Sequence, residues 1–178
     1  MFAFAPGQGI FAHRETGSVL HAYVALVRPA DWIAGIDFSN PSAAAARVVS
    51  EFEGWSANLT ALVTESDTAL VPRLIHALPD GHRWDPSPGV TLIGDAAHLS
   101  APNGEGANLA MLDGAELAEA IAAHPGDTAT ALVAYEAAMF SRSAAAVGEA
   151  TRILELCLDD RAPHGLVEFF LGTGEAAG

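Results

Sequence analysis

Lysine is absent from this 178-residue sequence: its eight basic residues are all arginine, against 22 Asp and Glu, for a formal net charge of −14. A protein that tracks a phosphate backbone needs clustered Lys and Arg, so nucleic acid is not an expected partner. The same sign disfavours anionic membrane surfaces. Cys157 is the only cysteine, which excludes an internal disulfide and a thiolate metal cluster. It sits in an apolar helical repeat, reads as core, and fits a reducing compartment. No apolar run approaches the ~20 residues of a membrane span. Met1 is followed by Phe-Ala-Phe-Ala-Pro without a basic segment, unlike a secretory leader. The expectation is a soluble, cytoplasmic protein with no metal site, no nucleic-acid partner and no membrane partner. No internal repeat is visible.

What is present begins as β structure. Met1–Pro6 and Gly9–Arg14 are short apolar runs around the turn Gly7-Gln8-Gly9, and Ser18–Arg28 follows the turn at Glu15-Thr16-Gly17. Short turns favour an antiparallel meander. Asn40-Pro41-Ser42 is a helix start, predicting a helix over Ala43–Trp55 with Val48, Val49 and Phe52 buried. A second helix is predicted over Ala57–Thr64. Thr68–Ala77 returns to β, at an edge because of Pro72. The Pro- and Gly-bearing stretch Leu78–Gly89 is a connection and sets a boundary between residues 1–89 and 90–178. Val90–Ile93 reads as a short buried strand. Helices are expected over Glu105–His124, Thr128–Leu158 and a last segment ending near Leu171, before a frayed tail. On the long helix, Leu132, Tyr135, Met139, Ala146, Ala150, Ile153 and Cys157 share one face.

The stretch that carries chemistry is GVTLIGDAAHLSAPNGEGANLAMLDG, from Gly89. An apolar strand delivers the chain to Gly94-Asp95. A small residue there permits close approach, and a carboxylate at a strand end can accept hydrogen bonds from a polyol. Pro102-Asn103-Gly104-Glu105-Gly106-Ala107-Asn108 then opens a helix. Two glycines leave its first amides uncovered, and those donors with the positive helix end suit an electron-rich ligand edge. Asn108 adds a side chain that both donates and accepts. His98 alone reads as a structural histidine. Strand, Gly-Asp, then helix with PxGxGxN in one window is far more specific than a lone GxG.

GDAAH followed by PNGEGAN and LDGAELA resembles the second FAD motif of group A flavoprotein monooxygenases, such as para-hydroxybenzoate hydroxylase-like enzymes and, closer in style, tetracycline-inactivating monooxygenases. GQGIFAHRE and HAYVALVRPADW are similar to the substrate-domain sheet of that family, and the alanine-rich helices after Asn108 to its C-terminal portion. The resemblance implies an α+β and α/β arrangement, with a substrate-domain-like sheet and helices over 1–89. Over 90–178 it implies one strand and the C-terminal helices of an FAD-binding domain. It implies that Asp95 hydrogen-bonds the ribityl chain of FAD, that Gly94 belongs to the cofactor-binding set, and that Pro102 lines the reactive edge of the flavin as the catalytic position. Gly104, Glu105, Gly106 and Ala107 would present the loop and its amides to the isoalloxazine, and Asn108 would contact the pyrimidine ring. Oxygen transfer would then proceed through a flavin hydroperoxide after reduction by NADH or NADPH, acting on a small aromatic or polyketide-like molecule.

No GxGxxG follows a strand near the N-terminus. The resemblance therefore implies that the βαβ Rossmann unit is missing and that a complementing N-terminal half is needed. Charge-assisted hydrogen bonds to the pyrophosphate are worth roughly 1.5–3 kcal/mol each, so losing a few costs on the order of three decades in affinity. Weak or no FAD binding and no oxygenase activity are expected of the chain alone. Two alternatives stay open: a flavin-free binder, cyclase or isomerase that kept a substrate pocket, and a non-catalytic remnant. Trp32, Phe38, Trp55 and Tyr23 could line such a pocket, although core packing is the commoner fate of aromatics. His13, Arg14, His21 and Arg73 stand on strand-like segments and face either ligand or water.

Overall fold

The computed structural model describes residues 1–172; the rest of the tail expected to fray lies outside them. The chain forms two compact units, residues 1–74 with 155–172, and residues 75–154.

The first unit contains a three-stranded antiparallel sheet in the order β1 (Phe2–Ala5), β2 (Gln8–Arg14), β3 (Leu20–Leu26), the expected meander. Gly7 at φ +68° and Gly17 at φ +79° make the turns, a backbone region that glycine enters without a Cβ penalty. Because side chains alternate along each strand, the register sorts residues into two faces. Ile10 and Ala12 point to the covered face, where Ile10 packs with Val48, Phe52 and Val63 and with Val24, Leu26, Trp32 and Trp55. Trp32 and Trp55 are thus core residues rather than pocket walls. On the other face Phe2, Phe11 and Tyr23 form one cross-strand row, with ring centroids 4.7 and 5.6 Å apart. His13 and His21 form the next row at 5.8 Å, and Glu15 lies 3.2 and 3.5 Å from them. This face is open: Phe2 is 67% and Tyr23 53% exposed.

Helices cover the opposite side. After α1 (Ala30–Ala34), α2 (Pro41–Val49) starts where the sequence signals it, with the Asn40 side chain accepting from the Ala43 amide and Pro41 in the first turn. It tightens into a 3-10 turn at Ser50–Phe52, and α3 (Ala57–Thr64) follows a Ser56 cap. Glu51 ties these pieces together. Its carboxylate accepts from Arg28 Nε at 2.7 Å, Arg47 Nη1 at 2.5 Å and Trp32 Nε1 at 3.0 Å. Arg28 and Arg47 chiefly hold its pKa down to about 2.

The second unit holds α4 (Asp95–His98), α5 (Gly106–Ala123) and most of α6 (Thr128–Leu158); α7 (His164–Leu171) returns to the first unit. Its core gathers Ala97, Tyr135 and Met139, with Trp84, Leu117 and Phe140 against them. Leu132, Tyr135, Met139 and Ala150 are buried on α6 as the periodicity predicts, and so are Glu136 and Ser143.

Two expected strands are absent. Thr68–Ala77 forms no strand, and Val71, Leu74 and Ile75 are exposed. Val90–Ile93 is neither a strand nor buried: Val90 makes one isolated bridge to Ser87, and Leu92 and Ile93 are 38% and 44% exposed. Local β propensity pointed to strands, but a strand also needs a partner edge, and no described residues supply one.

Folding lowers the Glu51 pKa, so its contribution is present above its ordinary value and is lost as pH falls toward 2. Urea unfolding followed by circular dichroism should show a stability decline across that acid window, and Glu51→Gln should flatten it. An unchanged acid profile in the variant would contradict the role given to this cluster.

Candidate functional site

Asp113 is the charged residue the sequence reading did not single out, and it organises the expected site. It lies within α5 with no exposed surface, although an acid in an apolar helical repeat ordinarily faces water. Its Oδ2 accepts from the Gly94 amide at 2.8 Å and from His98 Nε2 at 2.6 Å. Its Oδ1 accepts from Arg142 Nη2 at 2.6 Å, and Arg142 also reaches Glu116. Burial alone pushes the Asp113 pKa up, but the Gly94 amide, His98 and Arg142 outweigh it, so the group titrates below the ordinary carboxylate range. Since the ionised carboxylate only accepts, His98 must carry its proton on Nε2. His98 is the structural histidine expected, buried at the end of α4.

Gly94 is locked as a result. It adopts φ +59° and ψ −140°, open essentially to glycine alone. Its carbonyl accepts from the Ala97 and His98 amides at 2.8 and 3.0 Å, while its own amide is given to Asp113. A Cβ here would stand 3.1 Å from that of Ala110 on α5. Asp95, the next residue, is exposed, and its carboxylate makes no hydrogen bond among the described residues.

The second half of the motif opens α5. The Asn103 side chain accepts from the Glu105 amide at 3.0 Å, and Gly104 takes φ +91°. Glu105 occupies the cap position but makes no side-chain cap bond, which leaves the amides of Gly106, Ala107 and Asn108 without one. Pro102, Gly104, Glu105, Ala107 and Asn108 are exposed and Gly106 is half-buried. A Cβ at Gly104 or Gly106 would meet no atom within 4 Å, so open space lies beside this loop. The donor set fits a flavin in kind: a free carboxylate for polyol hydroxyls, and uncapped amides at a helix start for an electron-rich ring edge.

The segment ahead of Gly94 is held by side chains instead of a sheet. The Glu136 carboxylate accepts from Trp84 Nε1 at 3.0 Å and Thr91 Oγ1 at 2.8 Å. Tyr135 donates to the Leu92 carbonyl at 3.2 Å, and burial pushes its phenol pKa up to about 12, so it remains a donor. Glu136 and Tyr135 were not marked as site residues; the signal was an acid one position after a core aromatic.

Residues 83–150 match the family described as FAD binding domain. The FAD-dependent urate hydroxylase of Mycolicibacterium vanbaalenii is 35% identical over 97 residues, covering 53% of this chain and 24% of that protein. The kynurenine 3-monooxygenase of Salinispora tropica is 48% identical over 80 residues, covering 39% and 17%. The chloroplastic zeaxanthin epoxidase of Nicotiana plumbaginifolia is 36% identical over 86 residues, covering 47% and 12%. The chain therefore spans about a quarter or less of the relatives it matches, and the resemblance to FAD-dependent monooxygenases stands.

Gly94→Ala should destabilise the second unit by about 1–3 kcal/mol, since it combines a positive φ with a close approach to Ala110. Chemical unfolding measures this; a loss no larger than that of an exposed Gly→Ala change would show that the turn is not locked as described.

Proposed function

Because residues 83–150 are related to FAD-binding domains of monooxygenases, we propose that this chain supplies the flavin-facing turn and helix of an FAD-dependent monooxygenase. The observation that carries this is the pairing of a free, exposed Asp95 carboxylate with an uncapped α5 start inside the matched segment. When bound, FAD supplies oxygen activation and transfer. The chain's own part is to position and to exclude water. Asp95 accepts hydrogen bonds from the ribityl hydroxyls. The Gly106, Ala107 and Asn108 amides donate to the pyrimidine edge, and Pro102 shields the reacting side. Glu105 and Gly104 shape the loop.

The substrate in this proposal is a small aromatic or polyketide-like molecule. The open sheet face supports that class, since Phe2, Phe11 and Tyr23 offer stacked rings and His13 and His21 polar edges. NADH or NADPH serves as reductant, and a complementing N-terminal half holds the ADP portion of FAD. The exposed apolar run at Val90, Leu92 and Ile93 supports a sheet partner of that kind. The same open aromatic face favours one second reading, a flavin-free binder of aromatic ligands.

The chain alone should purify colourless and bind added FAD weakly or not at all, as read by flavin fluorescence. Tight binding would remove the need for a second half, and no response at millimolar FAD with both halves present would sink the flavin reading. Where both halves are present, Asp95→Ala should lower cofactor occupancy at least tenfold, as expected for lost charge-assisted hydrogen bonds. Yellow absorbance per protein measures it. Stoichiometric binding of an aromatic polyketide by a colourless, FAD-insensitive chain would favour the second reading.

A further inference from the structure

We propose that Asp113, which does not reach the exposed side of the turn, is the positioning residue for flavin binding, acting through Gly94 and His98. This rests on the flavin reading above and assigns a role to a residue outside the ligand-facing set.

Three constraints converge on the peptide at Gly94. Its amide is held by Asp113, its carbonyl accepts from the Ala97 and His98 amides of α4, and Ala110 leaves no room for a side chain on it. Ala110 and Asp113 sit three residues apart on α5 and so share a face. One helix face therefore supplies both the steric stop and the polar anchor. With Gly94 immobile, the backbone of Asp95 has little freedom, and its side chain is left on the exposed side of the turn. The helix that provides the anchor also provides the uncapped amides, since Asp113 lies about two turns in from Gly106. The two groups offered to the flavin are thus referenced to one rigid element. Binding needs such preorganisation, because ordering a loose turn subtracts from affinity.

The residue type follows from the donors around it. Three donors converge on this buried side chain, so an acceptor-only group is required. Asparagine with its oxygen toward Gly94 and His98 would turn an NH2 toward Arg142, donor against donor, and the flipped amide would turn that NH2 toward Gly94 and His98. Arg142 balances the buried charge and is itself shared with Glu116.

The experiment uses the full chain, nuclear magnetic resonance, and two probes: riboflavin, which carries the ribityl chain, and lumiflavin, which lacks it. In the wild type the Gly94 amide should exchange slowly, and riboflavin should bind more tightly than lumiflavin. Asp113→Asn should speed Gly94 exchange and weaken riboflavin about tenfold, with α5 helicity retained and lumiflavin affinity changed less. Asp113→Ala should do more; if it does not fold, the asparagine variant decides alone. Asp95→Asn should weaken riboflavin without altering Gly94 exchange. Wild-type riboflavin binding that persists undiminished in Asp113→Asn overturns the positioning role and leaves the flavin reading intact. Equal loss of riboflavin and lumiflavin affinity overturns it too, since the effect would then be general. If the wild type binds neither probe even with a complementing half present, the flavin reading falls, and Asp113 remains only a structural anchor.

Discussion

The second unit depends on one buried carboxylate. Asp113 of α5 accepts from the Gly94 amide and the His98 ring at the two ends of α4 and from Arg142 on α6, so three helices meet at two oxygen atoms. Such a group is costly to desolvate and is kept only if its lone pairs are filled. Here they are filled by donors that cannot be supplied by any one element. Removing a partner would leave an uncompensated buried charge, so the arrangement works as a whole.

The first unit uses the same logic with more solvent. Glu51 gathers Arg28, Arg47 and the indole of Trp32 around the 3-10 turn that ends α2. The cluster lies beside an apolar core of Ile10, Val48, Phe52 and Val63 that covers only one side of the sheet. The uncovered side is crowded with rings, an arrangement more apolar than surface sheets usually leave to water. The open apolar residues at Leu74, Ile75, Leu92 and Ile93 are of the same kind.

Glu136 and Tyr135 show how a segment is held without a ladder. Side-chain bonds to Trp84, Thr91 and the Leu92 carbonyl pin it along α6. Among the described residues no strand ladder forms along this run. The turn at Gly94 follows directly, so restraint of the segment and placement of the turn are coupled through α6 and α5.

Local chemistry was enough, from the sequence alone, for the β1–β3 meander, the Asn40-Pro41 helix start, the long amphipathic helix and the Gly-Asp and PNGEGAN elements. Each of these rests on neighbours within a few residues: glycine at positive φ, a side chain capping its own helix, a period of burial. Tertiary structure alone decided whether Thr68–Ala77 and Val90–Ile93 became strands, because pairing requires an edge from elsewhere. It alone also made Asp113 the centre of the site. An aspartate inside an apolar helix carries no local sign of its partners, and Gly94, His98 and Arg142 reach it only once the chain has folded.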